Sequence, residues 1–371
     1  MKFNVSSSDL NQGLSAVIGA VPSKATLPIL ETILFESEEG RLKLTATDLE
    51  ISIIEYIEAD IEEEGAVAIP AKRLLETLRQ LPDISVFFEV DTNQNVRFKT
   101  DKGNYKLVGE EADEFPAVPD MNKGLTLSTD TKLIQKAIGK TMFAVSTDDL
   151  RPAMMGVYFD ISATESKFVA TDGHRLVRFV NKNLTSEQPL SFIVPDKALN
   201  LVSKALDGVN CDLTVSEDHA QFKSDNTIVI TRLINEQYPN YESVIPRDND
   251  KQLLIDKNQM LATVRRVSVF SSSTTRQIRL QMGSDKLTIR AEDLDMSSEA
   301  KETISCDYAS GEMEIGFNAK YLADVLSNVD GEEAAFEFST PNRAGIVKPA
   351  VEEDGEEMLM LVMPVMLNSY A

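Results

Sequence analysis

The sequence predicts an α+β protein made of three tandem similar domains, each with two helices packed on antiparallel sheets. Three recurring landmarks carry this prediction. The first is a strand ending in an acidic turn: Leu42-Lys43-Leu44-Thr45-Ala46-Thr47-Asp48-Leu49, then Phe168-Val169-Ala170-Thr171-Asp172-Gly173, then Leu287-Thr288-Ile289-Arg290-Ala291-Glu292-Asp293-Leu294. Its alanine lies at 46, 170 and 291, in steps of 124 and 121. The second is a strand running into a helix around Pro70-Ala71-Lys72, Pro195-Asp196-Lys197 and Asn318-Ala319-Lys320, with lysines stepping by 125 and 123. The third is an amphipathic helix opening near Ser8-Asp9-Leu10, Thr131-Lys132-Leu133 and Asn258-Gln259-Met260, in steps of 123 and 127. All steps are close to one third of the 371 residues. A period this long marks a repeated domain and not a solenoid unit.

Taken in order, each repeat reads as helix, alternating strands, second helix and further strands. The helix after Thr131 has apolar residues at 133, 134, 137 and 138, a helical stripe. Stretches such as Leu213-Thr214-Val215-Ser216 and Ala220-Gln221-Phe222-Lys223 alternate with period two, the pattern of hairpins exposed on one face. Two helices and about eight short strands per repeat make the α+β arrangement. Pro-, Asp- and Gly-rich punctuation after Phe115-Pro116-Ala117-Val118-Pro119 and Tyr238-Pro239-Asn240-Tyr241 sets the boundaries at 1–122, 123–248 and 249–371.

Composition narrows the function. No apolar run approaches the length of a membrane span, and Met1-Lys2-Phe3-Asn4-Val5-Ser6 lacks a signal-peptide pattern. Two cysteines, Cys211 and Cys306, make no disulfide framework, so a cytoplasmic protein with free thiols is expected. The net charge of −23 argues against a nucleic-acid partner unless the 37 Lys and Arg residues are segregated. Some of them recur on equivalent helices of different repeats, where ordinary solvated helix faces are the alternative reading. Lys72 and Arg79, like Lys197 and Lys204, stand seven apart on the second helices. Lys132, Lys136 and Lys140 form a stripe on the first helix of repeat two, and Lys257, Arg265 and Arg266 lie on that of repeat three. Lys24 follows the first helix of repeat one. Such a layout suits salt-sensitive, sequence-independent contact with phosphates.

Catalytic constellations are missing from the sequence. His174 sits beside Asp172, and His219 in Glu217-Asp218-His219-Ala220 looks like a solvated turn, but no Gly-x-Ser-x-Gly elbow accompanies either. There is no phosphate-loop lysine motif, no Gly-x-Gly-x-x-Gly and no Cys-x-x-Cys. The strand-end acids Asp48, Asp172, Glu292, Asp293 and Asp295 occupy equivalent turns in different repeats, which favours turn-forming roles over a shared metal. A metal-dependent phosphoryl-transfer enzyme and a peptide-binding scaffold without DNA stand as the competing readings. The expected protein is a binder with no catalytic residue, metal or cofactor.

Ala170-Thr171-Asp172-Gly173-His174-Arg175-Leu176, Thr26-Leu27-Pro28-Ile29-Leu30 and Val362-Met363-Pro364-Val365-Met366-Leu367 together resemble the bacterial sliding-clamp family, the beta subunit of the replicative DNA polymerase. The resemblance covers essentially the whole chain. It implies the DNA clamp fold and a head-to-tail homodimeric ring with helices lining the hole around double-stranded DNA. It implies DNA contact at Lys24, Arg73 and the loop around Thr147-Asp148, where Asp148 replaces an uncharged polar residue.

It also implies a cleft for short motifs of the polymerase catalytic subunit, clamp loader, repair polymerases, ligase and mismatch-repair proteins. Met154, Thr171, Gly173, His174, Arg175, Leu176, Pro239, Val244, Met363, Pro364, Val365, Met366 and Leu367 would form it, with Asn342 and Ala344 as further candidates. Its Met, Val, Leu and Pro side chains suit varied apolar anchors, with His174 and Arg175 as polar rim contacts. Met366 stands where the family ending has a basic residue, and Asn368-Ser369-Tyr370-Ala371 extends beyond it, either over the cleft or as a loose end. Ring closure would join the edge around Tyr105-Lys106-Leu107 to the helix around Val269-Phe270.

Overall fold

Among the described residues six α-helices are set two per repeat where the sequence landmarks place them: α1 (Ser7–Val17), α2 (Ala71–Leu78), α3 (Thr131–Thr141), α4 (Asp196–Ala205), α5 (Lys257–Ser268) and α6 (Ala319–Asn328). They come from a computed structural model describing residues 1–367. Local chemistry explains several starts. The Ser6 hydroxyl accepts from the N–H groups of Ser8 and Asp9 at the head of α1, and Asp256 accepts from Gln259 at the head of α5. Asn318 caps α6 by accepting from Lys320. These side chains satisfy N–H groups that the first turn of a helix leaves open. Pro70 and Pro195, before α2 and α4, make no side-chain cap bond; their rings fix φ at −53° and −57° where the strand ends.

The buried face of α1 is Leu10, Gly13, Leu14 and Val17, one stripe of the helix. Gly13 is there because of contact distance. A Cβ on it would lie 2.8 Å from Ile57 Cγ2 and 2.9 Å from Leu44 Cδ1, so the helix rests directly on the sheet.

The three sequence repeats do not coincide with the compact units of the chain. One unit comprises Met1–Ile138 with Val194–Ile234, and the other Gly139–Ile193 with the chain from Asn235 onward. The second repeat is divided because its strands pair in two directions. Thr227–Arg232 pairs with Ile51–Glu58, with Val229 opposite Ile53, completing an eight-stranded sheet that ends at Leu125–Asp130 and Ala66–Pro70. Arg175–Asn181 pairs with Glu356–Val362, with Val177 opposite Met360, in a second eight-stranded sheet. Each unit adds one smaller sheet. In the first it is five-stranded and ends at Asn104–Val108; in the second it is four-stranded and ends at Ser298–Ser305. Aromatic stacks fill the cores, such as Phe3 on Phe88 at 4.8 Å and Phe159 on Phe192 at 5.0 Å.

The acidic turn is one device built three times. Asp48 Oδ1 accepts from the N–H groups of Glu50 (3.0 Å) and Ile51 (2.7 Å). Asp172 Oδ1 accepts from His174 and Arg175, both at 2.9 Å. Asp293 Oδ1 accepts from Asp295 (3.1 Å) and Met296 (3.2 Å). A carboxylate in this place closes its own turn, the ordinary reason for Asp there. Gly173 occupies the left-handed region at φ +86°, and its counterpart Leu49 does so at φ +78°. Glycine does this freely; leucine does it at a cost of about 1–2 kcal/mol.

Because Ile53 and Val229 are both fully buried on paired strands of different repeats, Ile53→Ala should destabilise by about 2–5 kcal/mol. Amide exchange should then speed up in Thr227–Arg232 along with Arg41–Thr47, and not in Arg175–Asn181. Faster exchange confined to the first repeat would show that the sheet is not the cooperative unit.

Candidate functional site

The turn of the second repeat differs from its counterparts in what surrounds it. The Arg175 side chain is only 9% exposed. Its Nε donates to Asp172 Oδ2 at 3.2 Å, and its Nη1 pairs with Asp324 of α6. The guanidinium lies over two rings, 5.4 Å from the centre of Phe143 and 5.0 Å from that of Tyr321. Arg175 was expected at the polar rim; it is instead an internal strut whose donors face protein partners. A guanidinium this buried needs its carboxylates, since an unpaired buried charge is costly. His174 is exposed, with its ring stacked on Tyr321 at 5.5 Å.

The C-terminal segment meets this turn directly. Met363 N–H donates to the His174 carbonyl at 2.8 Å, and Val365 N–H donates to Gly316 at 2.9 Å. Leu367 lies over Gly316, where a Cβ would come within 2.6 Å of Leu367 Cδ2. Val365 and Leu367 are thus attached to the strand Met313–Asn318, while Met363 and Met366 face outward, Met366 at 74% exposure. The tail after Leu367 lies outside the described residues.

Arg151 forms a wall that was not foreseen. Its Nε donates to Asp148 at 2.8 Å and its Nη1 to Met154 Sδ at 3.7 Å. A Cβ on Gly173 would sit 2.7 Å from that Nη1, so the absence of a side chain makes room for Arg151. The hydrogen bond from Arg151 holds the Asp148 carboxyl below the usual range. Asp148 therefore acts as the anchor of Arg151, which accounts for a carboxylate in that loop. The signal was present in the repeat: Arg151-Pro152 follows Leu27-Pro28 by the same step of 124. Nothing in the sequence pointed to Tyr321, Asp324 or Phe143, which reach the turn only through folding.

Pro239 and Val244 are held by a tyrosine cluster. Tyr238 stacks on Tyr158 at 4.7 Å, Tyr241 meets Tyr158 at 6.3 Å, and Tyr238 Oη donates to the Val169 carbonyl at 3.3 Å. Burial pushes the hydroxyls of Tyr238 and Tyr241 well above the ordinary tyrosine range. Val244 closes the short turn Tyr241–Val244 and is exposed. Thr171 and Leu176 are buried in the strands flanking the turn, and Thr171 Oγ1 donates to the Arg175 carbonyl at 2.7 Å. Asn342 is exposed, whereas Ala344 is buried with its carbonyl taken by Asn249 Nδ2 at 3.3 Å.

The cations fall into two groups. Lys140 is paired with Asp330 and also donates to the Asn328 carbonyl at 3.3 Å, leaving its side chain 17% exposed. Lys197 is paired with Asp48, and Arg266 with Glu302 at 2.6 Å. Each of these three is thus paired with an acid that sequence spacing does not bring near it. Lys72 donates to the Ser23 carbonyl at 2.8 Å and Arg265 to the Ser327 hydroxyl at 3.3 Å, so both keep their full charge. Lys24, Arg73, Arg79, Lys132 and Lys204 have no acidic partner among the described residues. Arg79 lies one residue past the end of α2, as its C-cap.

On the strand Asn104–Val108, Tyr105 stacks on Phe98 at 4.7 Å and Leu107 is buried opposite Val96. Both expected interface side chains therefore face their own core. Val108 is the exposed apolar residue, and Val269 and Phe270 are exposed beyond α5. His219 opens the strand His219–Ser224, half-buried, and is not a loop residue. Among the described residues no group of three or more His, Cys, Asp or Glu side chains is placed to hold a metal ion. No helix there is long and apolar enough to cross a membrane. Cys211 is buried, and desolvation pushes its thiol up to about 12.

Comparison with known proteins agrees with this geometry along the whole chain. The N-terminal domain of the DNA polymerase III beta subunit matches residues 1–119, its central domain 128–240 and its C-terminal domain 242–364. A beta sliding clamp of Pseudomonas aeruginosa is 30% identical over 373 residues, spanning 99% of this chain and 100% of the relative. One of Bacillus subtilis is 28% identical over 98% of this chain and 99% of the relative. A crystal structure of the Pseudomonas aeruginosa clamp bound to griselimycin superposes with a TM-score of 0.93 at 29% identity, covering 99% of this chain and 100% of that one. The Bacillus subtilis clamp structure gives 0.94 at 27% identity, covering 99% of each chain. Repeated turn, tandem domains and matches together define a processivity subunit without a catalytic centre of its own. The chain belongs to the DNA polymerase III beta subunit family, the bacterial beta sliding clamps.

Gly173→Ala should cost about 1–2 kcal/mol through its positive φ and displace Arg151 as well. Leu49→Gly should hold or raise stability, because it relieves the same backbone strain. Thermal denaturation of both variants checks this, and an equal loss in each would refute the account of the turn.

Proposed function

We propose that two copies of this chain close head to tail into a ring that encircles duplex DNA in the cytoplasm. The ring tethers the replicative polymerase for processive synthesis. The observation that carries ring closure is that Asn104–Val108 in the first repeat and Ser298–Ser305 in the third are each the terminal strand of a sheet. An exposed edge invites strand pairing, and a heterologous contact of this kind forms a closed ring when its rotation permits. The exposed Val108 on one edge strand, and Val269 and Phe270 beyond α5, supply apolar surface for that junction. Repeat boundaries at 1–122, 123–248 and 249–371 accord with three domains per subunit.

Contact with DNA falls to the cations without acidic partners among the described residues: Lys24, Lys72, Arg73, Arg79, Lys132, Lys204 and Arg265. Charge without base-reading chemistry neutralises phosphates irrespective of sequence, while a closed ring retains the DNA by topology. In light scattering the protein should have twice the 41.1 kDa mass of the chain. It should remain on nicked circular DNA and slide off after linearisation. Retention on the linear form would mean ordinary affinity binding.

The second activity is docking of short linear motifs from the polymerase catalytic subunit, clamp loader, repair polymerases, ligase and mismatch-repair proteins. The outward Met363 and Met366, the exposed Val244, Met154 beneath Arg151, and His174 support this reading. Methionine-rich apolar surface adapts to varied anchors. Met366→Glu places a charge on that surface without touching the Val365 and Leu367 attachments. It should weaken binding of labelled griselimycin at least tenfold with the dimer intact. Unchanged affinity would reject the cleft.

A further inference from the structure

We infer that α6 is the positioning element of the docking cleft, and that Asp324 acts through Arg175 without touching the docked segment. The inference rests on the docking reading above.

The C-terminal end of α6 is anchored from two sides, independently of the cleft. Lys257 Nζ donates to the Val329 carbonyl at 3.0 Å, and Lys140 Nζ donates to the Asn328 carbonyl at 3.3 Å while pairing with Asp330. Lysines here satisfy the open carbonyls of a helix end and complement its dipole. Leu322, Val325 and Leu326 are fully buried beneath the helix, so α6 is held by packing as well. From this fixed helix two side chains reach the turn. Tyr321 stacks on His174 and lies under the Arg175 guanidinium, and the Asp324 carboxylate pairs with Arg175 Nη1.

Arg175 needs both acids. Asp172 takes its Nε, and that same carboxylate closes the turn with its other oxygen. Without Asp324, Nη1 of a nearly buried guanidinium would have no acidic partner, and the group would swing toward water and away from Tyr321 and Phe143. The turn then loses its tie to α6 on the side where His174 presents its ring and its carbonyl. That carbonyl is the acceptor for Met363 N–H, so the shift passes to the outward methionines. Asp324 itself accepts from no other side chain of the site, and its peptide carbonyl is held separately by Asn328 Nδ2 at 2.8 Å. Removing its carboxylate leaves the helix intact.

The test uses the full-length protein and fluorescence anisotropy with labelled griselimycin. Asp324→Ala should weaken binding about tenfold, equivalent to about 1.4 kcal/mol. Asp324→Glu, which can still reach Arg175, should restore most of it. A second readout separates positioning from general destabilisation. The chain has two histidines, His174 and His219. In a histidine-labelled sample Asp324→Ala should move the His174 resonance, through the altered stack on Tyr321, and leave that of His219 in place. Wild-type affinity in Asp324→Ala, while Met366→Glu loses binding, would overturn the inference and leave the cleft standing. Wild-type affinity in both variants would overturn the cleft itself. Lost affinity with an unmoved His174 signal and no rescue by Glu would reduce Asp324 to a stabilising residue and overturn the positioning role.

Discussion

Antiparallel pairing across the boundaries of the repeats is the constraint on which the rest of this structure depends. A repeat taken alone would leave the outer strands of its sheet open on both sides. Placing Val229 opposite Ile53, and Val177 opposite Met360, turns two such edges into the middle of eight-stranded sheets. The backbone groups are satisfied there and the side chains on the buried face become core. The second repeat cannot be an independent globule under this arrangement, because half of it completes one sheet and half completes another. The same pairing brings the turn at Asp172 beside Val362 and the C-terminal segment that follows it.

The surroundings of the second acidic turn follow from that juxtaposition with few additions. The turn is common scaffold, since Asp48, Asp172 and Asp293 close their turns with the same pair of backbone bonds. What the second repeat adds is a glycine that admits Arg151, a histidine carried at the rim, and an arginine buried between two carboxylates and two rings. The polar groups are mostly consumed in holding the surface still. The apolar groups, chiefly Met363 and Met366, are the ones left outward. A fixed polar frame presenting methionines leaves an adaptable apolar surface on an ordered backbone.

Charge shows the same separation of structural and functional duties. The chain carries a large negative excess, yet Lys140, Lys197 and Arg266 are neutralised within the fold. Lysines on equivalent helices therefore do different work: Lys197 ties α4 to the first acidic turn, while Lys204 on the same helix keeps its charge available. Exposed ion pairs contribute little stability, but Lys140 is largely covered and holds a helix end as well as an acid, so it serves as a fastening.

The sequence by itself determined the threefold repeat, the helix positions and the identity of the acidic turn. Each of these rests on local chemistry: the 3.6- and 2-residue periods, Asp at a turn, Ser6, Asp256 and Asn318 at helix starts, and Pro before α2 and α4. Only the tertiary structure decided what each of those residues does. Arg175 became a buried strut because Asp324, 149 positions away, meets it. Leu107 turned inward and left Val108 exposed because the strand's alternation is fixed by the core beneath it. The compact units cut across the repeats because strand pairing obeys spatial proximity, whereas a repeat in sequence records only local pattern. Contacts between residues far apart in the chain have no periodic signature, and they settle which charged groups are free and which are already bound.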